Sequence, residues 1–203
     1  MIAVIDYGAG NLRSAVRALE HIGAHVQVTQ RPADLPHADA VVLPGVGATR
    51  DTMAALHRLE LAPMLPGLIA SGIPFLGICV GMQVLAEHSE EWGLHPCLGV
   101  LPGTVRRFPT SAGKIPQIGW NQMAINQPDS PLVADLPPEP AFYFVHGYWL
   151  DTSATDAIAG TTTYGIPFPA LLHRGNVAAT QFHPEKSGRW GLHLLHNWLR
   201  SLG

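Results

Sequence analysis

The chain has 203 residues, of which 47% are hydrophobic and 13% are charged. This length suits one sizeable α/β domain, and the hydrophobic content supports a buried core and excludes intrinsic disorder. The formal net charge of −3 gives no electrostatic reason to expect a nucleic acid or an anionic membrane surface as a partner.

The first half of the chain alternates short apolar segments with helical patterns. Apolar runs predict buried strands at residues 2–6, 25–29, 40–43 and 73–78. Helical spacing predicts a helix over residues 12–22, with Asn11 as its N-cap and Gly23 at its end. Further helical stretches are expected around residues 53–56 and 65–71. This βαβ order predicts a parallel sheet with helices on both faces.

The second half is richer in short strands that Pro and Gly interrupt. We expect β-structure at residues 100–108, 115–122, 141–150 and 170–182, and a final helix at 190–202. No long linker or internal repeat divides the chain. The sequence therefore predicts a single α/β domain over residues 1–203, with a mixed sheet.

The apolar segments and the cysteines indicate where the protein works. No apolar run approaches the roughly 20 residues that cross a bilayer, and Asp6 interrupts the apolar start with no basic segment before it. Cys79 and Cys97 are too few for a disulfide framework, and no spacing of Cys and His resembles a zinc site. We expect a cytoplasmic protein without a metal site.

A cysteine stands where a buried strand turns into a helical segment. Gly77 and Gly81 flank Cys79 at a distance of two residues, and a helical run over 82–87 follows. Such glycines allow the sharp turn that presents the nucleophile of many hydrolases, and a helix N-terminus favours the thiolate. The alternative is a buried structural cysteine, which is the interpretation we adopt for Cys97 because no such frame surrounds it.

A histidine and a carboxylate follow another apolar strand. His183 and Glu185 are two residues apart, so in extended backbone both side chains can point to one side. Pro184 stiffens the spacing. Glu185 could hold one imidazole nitrogen and leave the other to exchange a proton with a thiol. The alternative is a solvated polar turn after an edge strand.

Together, these segments resemble a known family. Gly-Ile-Cys-Val-Gly-Met-Gln (77–83), Gln-Phe-His-Pro-Glu (181–185) and Val-Val-Leu-Pro-Gly-Val-Gly (41–47) resemble the three motifs of class I (triad) glutamine amidotransferases. The resemblance implies a flavodoxin-like fold, a mixed and largely parallel sheet flanked by helices. It also implies that Gly45, Val46 and Gly47 form an oxyanion strand whose backbone N–H groups stabilise the tetrahedral intermediate.

The family's mechanism would assign roles to the other residues of the motifs. Cys79 would attack the glutamine carboxamide to give a thioester, and His183, oriented by Glu185, would protonate ammonia and then activate water. No cofactor is implied. Further residues are expected to bind glutamine, with Glu91 facing its α-ammonium group: Val80, Gln83, Glu91, His146, Gly147 and Tyr148.

Four other segments narrow the resemblance within the family. Residues 6–11, 119–121, 143–146 and 184–187 are similar to the glutaminase subunits of imidazole glycerol phosphate synthase, and the resemblance covers essentially the whole chain. It implies a heterodimer with a separate (β/α)₈ cyclase, which makes imidazole glycerol phosphate and aminoimidazole carboxamide ribotide in histidine biosynthesis. The expected docking residues are Trp120, Asn121, Tyr143 and Lys186.

Two positions depart from the family pattern. Gln117 stands where the family usually has His, and Gly147 stands where it has Ser or Thr. The second change removes a hydroxyl near the expected glutamine carboxylate. The pair Gly8 and Gly10 suggests a dinucleotide fingerprint, but Arg13 occupies the place of its third glycine, so we reject a nicotinamide cofactor.

Two other functions remain open from the sequence. One is a free-standing cysteine hydrolase or the glutaminase of another amidotransferase. The other is a docking subunit that keeps the fold without the chemistry. The intact Cys, His and Glu speak against the second, and the segments at 6–11 and 119–121 speak against the first.

Overall fold

The computed structural model describes residues 1–203 and contains fourteen strands and five α-helices. The strands are β1 (Ile2–Ile5), β2 (Val26–Thr29), β3 (Ala40–Gly45), β4 (Phe75–Cys79), β5 (His88–Ser89), β6 (His95–Pro96), β7 (Gly103–Arg107), β8 (Gln117–Gln122), β9 (Ala124–Ile125), β10 (Ala141–His146), β11 (Tyr148–Thr152), β12 (Ile158–Tyr164), β13 (Ile166–Arg174) and β14 (Val177–Thr180). The helices are α1 (Leu12–His21), α2 (Thr49–Arg58), α3 (Leu65–Ala70), α4 (Val80–Gln83) and α5 (Gly188–Arg200).

The central sheet has eight strands in the order β2-β1-β3-β4-β14-β13-β12-β9. The first five are parallel neighbours, and β13, β12 and β9 extend the sheet by antiparallel pairing. Every residue of β1, β3, β4 and β14 is buried, as expected for parallel strands that are covered on both faces. The prediction of a mixed, largely parallel sheet flanked by helices is confirmed.

Helices cover both faces of this sheet and divide the core into two layers. Leu19 of α1 and Trp198 of α5 pack on one face, and Leu56 of α2 and Leu65 of α3 pack on the other. Burying a side chain of this size contributes about 1.5–3 kcal/mol relative to leaving it exposed. None of the five helices is both long enough and apolar enough to cross a membrane.

Two smaller sheets pack beside the central one. One is an antiparallel ribbon of β8 and β10, and the other has the order β11-β7-β5-β6. The β-structure expected over residues 141–150 consists of two strands, β10 and β11. His146 pairs with Gln117 of β8, whereas Tyr148 pairs with Arg107 of β7, so the chain changes sheets at Gly147.

The helix expected after Cys79 is shorter than predicted. It ends at Gln83, after four residues. The carbonyl groups of Val84, Leu85 and Ala86 accept hydrogen bonds from the returning segment 98–101. The N–H groups of Leu85 and Ala86 donate to carbonyls three residues back, at Met82 and Gln83, so the α-helical pattern ends here, and the carbonyls of residues 84–86 serve segment 98–101 instead of a further helical turn.

Strand β12 has no counterpart in the prediction. It contains three consecutive threonines and Gly160, so it lacks the apolar alternation that marks a half-buried strand. It nevertheless pairs with β13 along its length. Its position is set by this long-range pairing and not by a local pattern.

Candidate active site

Three predicted motifs meet at the carboxyl edge of the central sheet. Gly45, at the end of β3, lies opposite Cys79, at the end of β4. On the other side of β4, Thr180 of β14 lies opposite Ile78, and His183 follows three residues later. Segments that are far apart in the sequence therefore converge where open α/β sheets place their sites.

Cys79 has an unusual backbone conformation. Its φ is 55° and its ψ is −106°, and its residue is 6% exposed. A positive φ at a non-glycine residue costs on the order of 1–3 kcal/mol and occurs preferentially at functional sites. The turn also requires Gly81, because a Cβ atom there would lie 2.0 Å from the carbonyl oxygen of Leu43. The strand-to-helix turn thus presents the thiol at the sheet edge.

His183 and Glu185 form a buried pair beside this cysteine. The His183 Nδ1 atom is 2.7 Å from Glu185 Oε1, and both side chains are inaccessible to solvent. His183 Nε2 makes no hydrogen bond within the chain. Burial lowers the pKa of His183, but the proximity and charge of Cys79, together with the hydrogen bond and charge of Glu185, outweigh it and raise the pKa to about 10. The buried Glu185 carboxylate therefore favours the protonated imidazole of His183.

The predicted oxyanion strand continues directly from β3. Gly45 is tightly enclosed, since a Cβ atom there would lie 1.9 Å from Tyr7 Oη and 2.3 Å from Val80 Cγ1. Val46 and Gly47 line a cavity next to Cys79. Burial raises the pKa of the adjacent Tyr7 to about 12, so this phenol is neutral.

The cavity has a volume of about 170 Å³ and contains most of the residues expected to bind glutamine. Its lining consists of Val46, Gly47, Cys79, Gln83, Glu91, Val145, His146, Gly147 and Tyr148. Val80 is not among them. Its side chain is fully buried against Gly45, so only its backbone N–H could act in the site.

Two polar side chains in the cavity are held by defined partners. Gln83 donates from Nε2 to the Tyr148 carbonyl at 2.9 Å and to Gln181 Oε1 at 3.1 Å. Neither hydrogen bond uses Gln83 Oε1, which remains available as an acceptor. Glu91 accepts at Oε2 from the backbone N–H of Thr49 at 2.8 Å. Thr49 begins α2, so this carboxylate also lies at a helix N-terminus, where negative charge is stabilised.

His146 is a neutral, buried member of the same cavity. Its Nδ1 lies 2.8 Å from the Tyr148 carbonyl, and its ring packs against Phe108, Phe144 and Phe168. Burial is the main cause that lowers its pKa, to about 4. At neutral pH the ring therefore carries no charge, and Nδ1–H donates to the carbonyl.

The two departures from the family pattern both lie near His146. Gln117, which is buried, pairs directly with His146 across the β8–β10 ribbon. A Cβ atom on Gly147 would lie 3.2 Å from Ile115 Cγ2, which is tighter than ordinary contact. A serine or threonine at position 147 would therefore require Ile115 to shift by a few tenths of an ångström.

Sequence reasoning missed two polar residues of the site. Gln181, fully buried, directs Nε2 to the Cys79 thiol at 3.8 Å and links it to Gln83. Asn11 makes no side-chain cap to α1, contrary to the prediction, and instead donates from Nδ2 to Glu185 Oε1. Gln181 opens the 181–185 motif and Asn11 closes the 6–11 segment, but both side chains contact residues distant in sequence, and the motifs do not indicate those contacts.

The predicted docking residues have different surroundings. Trp120 is 59% exposed and lies opposite Tyr143 in the ribbon, with the two rings 6.1 Å apart. Lys186 is exposed in the turn after Glu185. Asn121 instead donates to the Thr163 carbonyl at 2.9 Å. The structure therefore groups Trp120 with Tyr143, whereas the amide of Asn121 is engaged within the chain.

Sequence reasoning also missed two neighbours of Trp120 and Tyr143. Ile118 is 61% exposed, and Val145 pairs with it on the same side of the ribbon. The opposite side of β10 is buried. We call the group of Ile118, Trp120, Tyr143 and Val145 the ribbon patch. Because Val145 also lines the cavity, the patch borders the candidate active site.

Comparison with known proteins assigns a family. The glutamine amidotransferase class-I model matches residues 3–202. The imidazole glycerol phosphate synthase subunit HisH of Chloroflexus aurantiacus is 58% identical over 202 residues, covering 98% of this chain and 95% of that protein. The HisH subunit of Herpetosiphon aurantiacus is 56% identical over 199 residues, covering 98% and 93%.

Solved structures with lower identity share the fold. A glutamine amidotransferase matches with a TM-score of 0.78 at 18% identity, covering 100% of both chains. PurLQS from Thermotoga maritima matches with a TM-score of 0.78 at 20% identity, covering 100% of this chain and 98% of that chain. The chain therefore belongs to the glutamine amidotransferase class-I family and, within it, to the HisH subunits of imidazole glycerol phosphate synthase.

Proposed function

We propose that the chain hydrolyses glutamine to glutamate and ammonia through Cys79, His183 and Glu185, and passes the ammonia to a separate cyclase. The observation that carries this proposal is the convergence of two strand ends. A strained cysteine at the end of β4 stands beside a buried His–Glu pair that follows β14. These are the parts that an activated thiol nucleophile requires.

The reaction proceeds in two halves. The Cys79 thiolate attacks the carboxamide carbon of glutamine, and the C–N bond breaks as imidazolium His183 gives its Nε2 proton to the departing ammonia. The product is a glutamyl thioester. Neutral His183 then takes a proton from water, whose oxygen attacks the thioester, and the C–S bond breaks to release glutamate. Glu185 accepts a hydrogen bond from the His183 Nδ1–H group throughout the reaction. Nε2 therefore always faces the reacting atoms.

Backbone groups stabilise the charge that forms in both halves. The N–H of Val80 opens the short helix after the nucleophile and has no partner within that helix. The segment of Val46 and Gly47 lines the cavity that Cys79 also adjoins. N–H groups from these two sources would bind the tetrahedral oxyanion, and loss of one such donor typically costs about 10²–10³ in kcat.

The remaining cavity residues hold the substrate. Glu91 binds the α-ammonium group, while the backbone of His146, Gly147 and Tyr148 binds the α-carboxylate. Gln83 accepts a hydrogen bond from the substrate at Oε1, because its Nε2 group already donates to Tyr148 and Gln181. If these backbone amides supply the carboxylate contacts, the missing hydroxyl at Gly147 is tolerated; if a hydroxyl is required there, the affinity for glutamine falls.

Ammonia leaves toward the ribbon patch, on which the partner docks. Val145 belongs both to the cavity wall and to the patch, so a partner seated there covers the exit from the site. An exposed tryptophan with apolar neighbours is typical of an interface hot spot. We propose that this partner is a (β/α)₈ cyclase, which forms a heterodimer and produces imidazole glycerol phosphate and aminoimidazole carboxamide ribotide.

Labelling with a glutamine-analogue electrophile tests the nucleophile. We expect one label per chain, on Cys79, because only this thiol adjoins the cavity. Cys97 serves as an internal control, since burial raises the pKa of its thiol to about 12 and keeps it protonated. Peptide mass analysis locates the label. Modification of Cys97 alone would contradict the assignment, and high turnover without any partner would favour a free-standing hydrolase.

A further inference from the structure

Asn11 stands directly before α1 in a left-handed conformation, with φ of 69° and ψ of −3°. An asparagine at this place usually caps the helix through its side chain. Here the side chain makes no cap hydrogen bond. The amide is therefore available for another contact.

That contact is with the buried pair of the candidate triad. Asn11 Nδ2 donates to Glu185 Oε1, the same oxygen that lies 2.7 Å from His183 Nδ1. Asn11 Nδ2 itself lies 3.4 Å from that imidazole nitrogen. The Glu185 side chain is fully buried, and its Oε2 has no hydrogen-bond partner within the chain. Asn11 and His183 are thus its two hydrogen-bonding side chains.

We propose that Asn11 is a positioning residue that fixes the Glu185 carboxylate and, through it, the orientation and tautomer of His183. A buried carboxylate needs donors to hold one rotamer. The Asn11 amide supplies a donor that does not change during the reaction, whereas His183 changes its protonation state in each cycle. An NH₂ group beside Nδ1 cannot accept a proton from it, so the Nδ1 proton is directed to Glu185.

The competing explanation is that Asn11 serves only the backbone. Asparagine is one of the few residues that tolerates a positive φ, and a glycine would serve that purpose equally well. Substitution by glycine therefore separates the two explanations, because it keeps the backbone conformation and removes the amide.

The experiment compares Asn11→Gly and Asn11→Asp with the wild type, as full-length chains bound to their cyclase subunit. We expect Asn11→Gly to lower the kcat of glutamine hydrolysis about tenfold to a hundredfold, the effect of losing a hydrogen bond to a charged group. The KM for glutamine and the ammonia-dependent rate of the complex remain unchanged. Asp135→Gly is the matched control, since Asp135 also has a positive φ (60°) but is exposed and contacts no triad residue.

The Asn11→Asp variant provides the second readout. It tolerates the same backbone but places a carboxylate against Glu185, so we expect a lower kcat than for Asn11→Gly. Part of this loss recovers as the pH falls, because a protonated carboxyl group at this position donates again. A wild-type kcat in Asn11→Gly, or a pH profile of Asn11→Asp parallel to that of the wild type, would overturn the proposal.

This inference rests on the proposed triad. One further variant distinguishes a failure of the triad from a failure of the role proposed for Asn11. If Cys79→Ala retains glutaminase activity, the proposed function fails whatever Asn11 does. If Cys79→Ala is inactive and Asn11→Gly has the full rate, the triad stands and only the role of Asn11 is wrong.

Discussion

At the scale of single residues, the candidate site depends on groups whose charge state is set by burial and by neighbouring side chains. His183 is held as a cation by Cys79 and Glu185, whereas His146, which lines the same cavity, is held neutral by burial. The two rings therefore have opposite electrostatic roles. In the proposed mechanism His183 exchanges protons, whereas His146 forms an uncharged wall between the cavity and the aromatic cluster around Phe144.

The low pKa of His146 predicts a loss of stability in acid. Its pKa is about 4 in the folded chain and near 6.5 when unfolded, so the unfolded state binds more protons between these values. The contribution of neutral His146 to the free energy of unfolding is complete above about pH 6.5 and is lost as the pH decreases toward 4. This difference between the folded and unfolded pKa values corresponds to about 3 kcal/mol of unfolding free energy.

Urea unfolding at several pH values measures this effect. His146→Gln, which cannot gain the charge, should lose less stability than the wild type between pH 6.5 and pH 4. The raised pKa of His183 does not add to this acid loss, because its stabilisation is complete below about pH 6.5 and is lost only as the pH rises toward 10. Equal acid losses in both proteins would show that His146 is not the group responsible.

At the scale of secondary structure, strand β10 connects the ribbon patch with the histidine. The His183 N–H donates to the Tyr143 carbonyl at 3.0 Å. The hydroxyl of Ser187 accepts from the Tyr143 N–H at 2.9 Å and donates to the His183 carbonyl at 2.7 Å. Ser187 thus links the turn that contains His183 to strand β10, which contributes Tyr143 and Val145 to the ribbon patch.

Removal of this hydroxyl should loosen that connection. We expect Ser187→Ala to lower the free energy of unfolding by about 1–3 kcal/mol, because it leaves two buried backbone groups without this partner. The kcat for glutamine should fall as well, since His183 loses its support. Ser201→Ala is the control. Ser201 is exposed and lies in another part of the chain, and its hydroxyl donates a comparable hydrogen bond, to the Trp198 carbonyl at 2.7 Å. Identical effects of the two substitutions on kcat would argue against this connection.

At the scale of the whole molecule, the three-layer fold leaves one apolar surface open beside the cavity. Trp120 belongs to this ribbon patch and contributes nothing to either buried core. We expect Trp120→Ala to leave the thermal stability of the isolated chain almost unchanged. Affinity for the cyclase should fall by about 2 kcal/mol or more, which is roughly thirtyfold.

A second exposed tryptophan offers a matched comparison. Trp92 is 72% exposed and lies outside the ribbon patch. Titration calorimetry with the cyclase should show a large loss of affinity for Trp120→Ala and little change for Trp92→Ala. If Trp120→Ala binds as tightly as the wild type, the partner docks elsewhere.

Much of this architecture is predictable from the sequence, for identifiable physical reasons. Strands buried on both faces give unbroken apolar runs, so the strands at residues 2–5, 40–45 and 75–79 are recognisable, although their ends are not. Flanking glycines indicate the turn at Cys79 because only glycine fits the close approach at position 81. The assignment to the HisH subunits also agrees with the resemblance of residues 6–11 and 119–121.

Other features depend on contacts that no local pattern encodes. The amide of Asn11 meets Glu185 at a sequence separation of 174, and that of Gln181 meets Cys79 at a separation of 102. A local pattern assigned Asn11 to helix capping, and only the folded chain shows its actual partner. Strand alternation indicates that the ribbon has two faces, but which face the core covers is decided by the packing of the whole molecule.

The proposed release of ammonia from glutamine by Cys79 is tested most directly by comparing two nitrogen sources in one complex. The chain with Cys79→Ala is combined with the cyclase, and product formation is measured with glutamine and with ammonium salts. We predict that synthesis from glutamine is lost and that synthesis from ammonia is retained at the wild-type rate, because the substitution removes the proposed nucleophile and leaves the ribbon patch intact. Glutamine-dependent synthesis that survives the loss of this thiol would contradict the account.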